Sequence, residues 1–126
     1  MLLVQDAFRT RVKGRCMAPL IRNGDTVRID PAKRLWCGDI FVWRDSHGRM
    51  VCHRYIGRFP GRAGLGYVSW ADDADRADAL VTRQQLLGKV THIGKSRVAG
   101  RLPARLRAAA RYLRYGLFRL RLLIAG

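Results

Sequence analysis

Glutamate is absent from this chain of 126 residues, so every side-chain carboxylate comes from nine aspartates. Against them stand twenty-one arginines and four lysines, a formal net charge of +16. An excess of that size calls for an anionic partner or surface. Cysteine is scarce and odd in number. Cys16, Cys37 and Cys52 form no CxxC pair and no disulfide framework of the kind that staples small secreted domains, which points to a reducing compartment. No apolar run approaches the roughly 20 residues of a spanning helix. Residues Met1 to Asp6 turn polar too soon for a secretory signal. Internal repeats and low-complexity linkers are missing as well. What is present is 48% apolar and 9% aromatic, enough for one domain with one moderate core.

Alternation of apolar and polar residues predicts a β-rich body. Phe8 to Lys13 alternates, and so does Thr26 to Asp30, which follows the turn signal Asn23-Gly24-Asp25 and is broken by Pro31. Ile40 to Arg44 and Met50 to Ile56 flank the turn Asp45-Ser46-His47-Gly48 and read as a hairpin. Gly57 to Gly66, with four glycines and a proline, reads as a loop, and Tyr67 to Trp70 as a strand. Asp72, Asp73, Asp75 and Asp78 make the one acidic cluster. A helical turn over 82–87 then leads to a closing strand over 88–94, and the body is expected to span residues 1–100.

The tail, residues 101–126, carries seven arginines and no acid. Its apolar residues Leu106, Ala109, Leu113, Leu117, Leu120 and Ile124 fall at helical steps, with arginine on the other faces. Pro103 suits a first helical turn. Such a helix can lie on an anionic membrane surface, dock on an acidic partner or pack back on the domain. Membrane or partner is the favoured reading. Nucleic acid is the weaker one, since no reader motif such as a helix-turn-helix precedes the body.

A cysteine, a histidine and an aspartate are the parts of an acyl-transfer site: the thiolate attacks, the imidazole moves the proton, and the carboxylate holds the imidazole. Residue types alone carry little weight here, so order and spacing must carry the rest. Gly14-Arg15-Cys16-Met17-Ala18-Pro19 is followed by Gly24-Asp25, by Gly38-Asp39-Ile40-Phe41-Val42, by His53-Arg54 and by Leu87-Gly88-Lys89-Val90. Five motifs in this order, over residues 8 to 95, resemble the signal peptidase and LexA-like peptidase superfamily.

The resemblance implies a mainly β protein, a coiled antiparallel β-fold of the signal peptidase/LexA type, to which the C-terminal basic amphipathic helix is added. It implies an endopeptidase that removes a leader or signal-like segment from a peptide or protein precursor held extended beside a strand. His53 stands at the base position, as in the histidine-type enzymes of the endoplasmic reticulum and archaea. Asp72 and Asp78 match the aspartates that would orient it, with Ala71 where the family has glycine. Cys16 stands where the family has serine. A thiol ionises more easily than a hydroxyl, so it is a competent nucleophile beside an imidazole. The backbone amide of Cys16 would meet the oxyanion, and Met17 and Pro19 would shape the substrate pocket. No metal or cofactor is called for. The alternative reading keeps the fold as an inactive peptide-binding module recruited by its basic tail. A cytoplasmic location, peripheral on a membrane, is the corresponding expectation.

Ordinary roles account for the other conspicuous residues. Cys37 and Cys52 read as small buried hydrophobes, with Cys52 facing away from His53 by strand alternation. His47 and His92 read as solvated or structural, and Asp25, Asp30 and Asp39 as turn residues that bond nearby amides.

Overall fold

The computed structural model describes residues 6–14, 17, 20–31, 34–98 and 102–125. Its strands are β1 (Phe8–Arg11), β2 (Thr26–Asp30), β3 (Ile40–Arg44), β4 (Met50–Gly61), β5 (Gly64–Trp70), β6 (Leu86–Ile93) and β7 (Ser96–Arg97). They form one antiparallel sheet in the order β1-β2-β6-β3-β4-β5, with β7 paired to β6. A 3-10 turn (Arg83–Gln85) precedes β6, and the one α-helix among the described residues, α1 (Leu102–Ala125), follows the sheet. The protein is therefore mainly β with one C-terminal helix.

β6 comes late in sequence yet lies between β2 and β3, closing the gap between the two earlier hairpins. Glycine permits this fit. A Cβ on Gly88 would stand 2.4 Å from the Asp30 carbonyl oxygen and 2.8 Å from Ile29 Cγ2, so any larger residue would push β2 off β6. At the entry to β6, the Gln85 side chain accepts from the Thr82 amide (2.9 Å) and donates to the Arg44 carbonyl (3.0 Å). The turn is thereby tied to the end of β3.

The stretch expected as a loop, 57–66, is instead the outer arm of a long hairpin. β4 runs on to Gly61 and β5 starts at Gly64, with Phe59 paired to Gly66 and Pro60 to Leu65. A register shift between Tyr55 and Gly57 kinks the strand, and Gly57 takes a φ of +147°. Glycine marks the bulge and a close approach here, not a break. A Cβ on Gly57 would fall 2.5 Å from the Tyr112 ring of α1, which covers the arm.

Apolar side chains bury both faces of the sheet. On one face of β2, β6 and β3, Met17 and Ile21 from the 12–25 connection pack with Val27, Ile29, Ile40, Val42 and Val90. On the other face, Phe41, Trp43, Tyr55 and Val81 form an aromatic cluster. The third cluster lies under α1, where Ala108 and Tyr115 meet Ile56, Val68 and Trp70.

α1 is attached by an unexpected face. Arg105 donates to the Cys37 carbonyl (3.0 Å) and Asp39 Oδ1 (3.1 Å), while Arg111 donates to the Asp72 carbonyl (3.3 Å) and lies 5.1 Å over the Trp70 ring. The Tyr112 hydroxyl donates to the Arg58 carbonyl (2.5 Å). The sheet surface here is aromatic and rich in exposed carbonyls, and guanidinium groups can stack on the one and donate to the other. Ala108 lets the helix backbone come close. The leucine stripe points outward.

Two outcomes follow. Gly88→Ala should lower stability by about 2 kcal/mol through overpacking, read from urea unfolding, and a loss under about 0.5 kcal/mol would show that β2 yields freely. Asp30 accepts from the Thr91 hydroxyl and pairs with Arg28, and the Thr91 bond in particular holds its carboxyl below the usual range. Its stabilising effect is present above the ordinary carboxylate pKa of about 3.9 and is lost as pH falls through the lower folded value. The stability gap between the parent and Asp30→Asn should therefore be constant near neutrality and close in strong acid.

Candidate active site

His53 lies in β4 opposite Phe41 of β3, its side chain on the face that also carries Trp43 and Tyr55. Trp43 meets the imidazole edge to face, ring centroids 6.3 Å apart. His53 Nδ1 is 2.6 Å from Asp78 Oδ2. A carboxylate can only accept, so Nδ1 carries the proton and the neutral ring keeps its lone pair on Nε2. The same Asp78 oxygen accepts from the Ser69 hydroxyl (2.8 Å), and Ser69 Oγ accepts from Trp43 Nε1 (3.0 Å). Ser69 is fully buried. The chain Trp43, Ser69, Asp78, His53 thus fixes both carboxylate and imidazole.

Asp78 reaches this position because its segment folds back on the end of β5. The Asp78 amide donates to the Ser69 carbonyl (2.8 Å), the Ala74 amide to the Ala71 carbonyl (3.0 Å), and Trp70 Nε1 to the Ala74 carbonyl (2.9 Å).

Asp72, the other candidate for orienting His53, is engaged elsewhere. Arg54 grips it with two bonds, Nε to Oδ1 at 3.1 Å and Nη2 to Oδ2 at 2.5 Å, while Arg54 Nη1 donates to the Gly38 carbonyl (2.9 Å). Arg111 adds a third approach at 3.9 Å. The pair is largely buried, and burial also pushes the Arg111 pKa down. Of the two aspartates, Asp78 contacts the imidazole and Asp72 the neighbouring arginine. Adjacent residues of β4 point to opposite sides, so two aspartates six apart serve two different side chains, Asp72 the Arg54 guanidinium and Asp78 the His53 imidazole.

Cys16 and Pro19 lie outside the described residues, as does Arg15. Met17 is 3% exposed within the core beside Ile21 and Val42, so the contact it makes is packing. Cys52 packs toward that core, on the sheet face away from His53. Cys37 donates its thiol to the Ile56 carbonyl (3.4 Å), and burial raises its pKa. His47 is exposed in its turn, and His92 Nδ1 is 3.0 Å from the Thr91 hydroxyl. Asp39 does more than bond the Trp36 amide at its turn, since Arg105 and Lys89 (3.7 Å) also converge on it.

Ser69 and Trp43 were not singled out by sequence reasoning. The available signal was a hydroxyl at an inward position of the strand-like Tyr67 to Trp70, between two apolar neighbours. A cleft of about 400 Å³ lies farther along the hairpin, lined by Leu35, Trp36, Tyr55, Arg58, Tyr67 and Leu86 among others. Tyr55 is two residues beyond His53 on the same side of β4. Burial pushes its phenol up to about 12. Arg58 stacks 4.0 Å from the Tyr67 ring centre and forms part of the cleft wall.

No known family, curated protein or solved structure matches this chain.

Asp72→Ala should cost about 3 kcal/mol in urea unfolding, because it leaves the Arg54 guanidinium buried without its counter-charge. Asp78→Asn keeps shape and some hydrogen bonding and should cost about 1 kcal/mol. Equal losses would mean that Arg54 finds compensation elsewhere.

Proposed function

We propose that the protein is a signal peptidase-like endopeptidase that removes a leader or signal-like segment from a peptide or protein precursor, with Cys16 as nucleophile, His53 as general base and Asp78 as the residue that positions the imidazole. The observation that carries this reading is the His53–Asp78 hydrogen bond, braced by Ser69 and Trp43. A carboxylate on Nδ1 of a histidine that sits at the base position of the motif order is the arrangement a proton-transfer role requires. The antiparallel sheet and the ordered motifs are compatible with the coiled β-fold of the signal peptidase/LexA type.

In this mechanism the precursor lies extended beside a strand, bonded through its backbone. Nε2 of His53 takes the Cys16 thiol proton, and sulfur attacks the scissile carbonyl carbon. Backbone amides, that of Cys16 among them, hold the developing oxyanion. Collapse of the tetrahedral intermediate breaks the carbon–nitrogen bond, and the imidazolium gives its proton to the leaving amine. Water, deprotonated by the same imidazole, hydrolyses the thioester and restores the thiol. Asp78 keeps the ring in the tautomer that both half-reactions use. Asp72 acts at one remove, holding Arg54 and with it the strand that carries His53. The cleft beside Tyr55, walled by aromatic rings and by Arg58, offers a place for a substrate side chain.

Alkylation by iodoacetamide tests the activated pair. Near neutral pH, Cys16 should react about 10- to 100-fold faster in the parent than in His53→Ala, as expected for a thiolate held by an imidazolium. Cys37 should react slowly, its thiol buried and its pKa raised. Equal and slow labelling of Cys16 in both proteins would sink the mechanism and leave the inactive peptide-binding reading. Turnover is tested by mass spectrometry on a library of leader-bearing precursor peptides. Cys16→Ala should abolish cleavage, and Asp78→Asn should lower kcat about 10²- to 10⁴-fold.

A further inference from the structure

α1 uses one face to hold the sheet and leaves another uncovered. Ala108, Tyr112 and Tyr115, with Arg105 and Arg111, form the docked face. On the opposite side Leu106, Leu113, Leu117, Leu120 and Ile124 share one stripe, and all are more than half exposed, Ile124 at 78%. Arg107 and Arg121 run along the edge of that stripe and are exposed too, while Arg114 between them reaches back to within 5.8 Å of the Trp70 ring centre. No acidic residue occurs anywhere in residues 101–126.

We propose that this outward face of α1 is a docking surface for an anionic lipid bilayer, with the leucine stripe at the level of the acyl chains and the arginine row at the phosphates. The inference does not depend on the peptidase reading. Among the described residues no helix is long and apolar enough to cross a membrane, so the surface is one that lies on a bilayer. A second copy of the chain is a poor occupant, because pairing the stripes would bring two arginine rows together with no carboxylate between them. Nucleic acid matches the arginines and offers the leucines nothing apolar. An acidic protein groove would cover one face of a helix. Phe118, Leu122 and Leu123 lie off the stripe and are also exposed, so the last turns are apolar around most of their circumference. A lipid interface surrounds such an end, whereas a groove does not.

The 24-residue helix is about 36 Å long. Its attachment through Arg105, Arg111 and Tyr112 fixes the stripe relative to the sheet. A bilayer would therefore hold the body in one orientation, with β4 and β5 stacked above the helix.

Flotation with vesicles tests the surface. The full chain should float with phosphatidylcholine vesicles that contain about a third phosphatidylglycerol, and bind pure phosphatidylcholine at least about tenfold more weakly. Leu113→Ser, Leu117→Ser and Leu120→Ser combined should weaken binding by at least about a hundredfold. Arg107→Gln with Arg121→Gln should weaken it by about thirtyfold on the anionic vesicles, at roughly fivefold per charge. These positions are exposed, so circular dichroism and the thermal midpoint should match the parent. A chain ending at Arg119 gives a second variant that leaves the docked face intact and should also lose binding. The proposal is overturned if the parent stays unbound, if neutral vesicles bind it equally well, or if the serine variant floats like the parent. It is overturned as well if sedimentation shows a dimer that the serine variant dissolves while the parent ignores vesicles, or if the parent binds a DNA duplex and no vesicle. Cys16→Ala should float like the parent, which separates this surface from the chemistry of the sheet.

Discussion

The two-bond ion pair between Arg54 and Asp72 is the interaction on which the arrangement of this protein turns. Arg54 belongs to β4 and also donates to the Gly38 carbonyl, which ties the connection before β3 to the strand. Asp72 begins the segment that leaves β5, and Arg111 of α1 converges on the same residue. Strand, returning segment and helix therefore meet at one carboxylate. Both partners are almost removed from water, so neither can be lost without stranding a charge. His53 is the residue next to Arg54, and Asp78 lies six residues after Asp72. With the first pair clamped, the segment between Trp70 and Val81 has little freedom in where it delivers the second aspartate. Short backbone bonds to Ala71 and Ser69 remove most of what remains.

Carboxylates are few in this chain, and the structure places several at junctions. Asp39 joins the β3 entry to α1 through Arg105 and to β6 through Lys89. Asp30 joins β2 to β6 through Thr91. Asp72 and Asp78 hold the two sides of β4. Four of nine aspartates thus act as internal ties, and the cations they do not neutralise are left largely on the outside. A net charge of +16 costs the compact state through self-repulsion. Placing Asp39 and Asp72 where basic side chains converge offsets that repulsion where it is least screened.

The strands Thr26 to Asp30, Ile40 to Arg44 and Met50 to Ile56 were legible, the first from its alternation and the other two as apolar-rich runs flanking the turn Asp45 to Gly48. The arm from Gly57 to Gly66 was not. Four glycines and a proline signal a loop by local preference, while pairing with β5 and cover from Tyr112 supply the tertiary terms that make it a strand. α1 shows the converse. Its extent followed from periodicity, but the face that docks did not, because arginine reads as a solvent residue unless aromatic rings and carbonyl oxygens are known to lie opposite. Around the candidate site, the resemblance singled out His53 with two aspartates, Asp72 and Asp78, and the structure brings Asp78 to the imidazole. Ser69 and Trp43, which complete the chain of hydrogen bonds, carry no motif. Which of the two aspartates meets the imidazole depends on how the 71–81 segment packs, a property that spacing does not encode.

The attachment of α1 and the candidate site are not independent features of the fold. Trp70 ends β5, stacks beneath Arg111 and donates to the Ala74 carbonyl, which shapes the turn that leads to Asp78. Its neighbour Ser69 faces the other way and bonds Asp78 directly. Two adjacent residues of one strand therefore couple the helix on one side of the sheet to the imidazole on the other. Asp72 repeats the arrangement with Arg111 and Arg54. A helix that merely covered apolar surface could shift by a residue at little cost. This one is tied by directional bonds to the carbonyls of Ala71 and Asp72. Sliding α1 would break those bonds and leave the Asp72 clamp with one cation fewer, so the position of the helix and the geometry around His53 are set together.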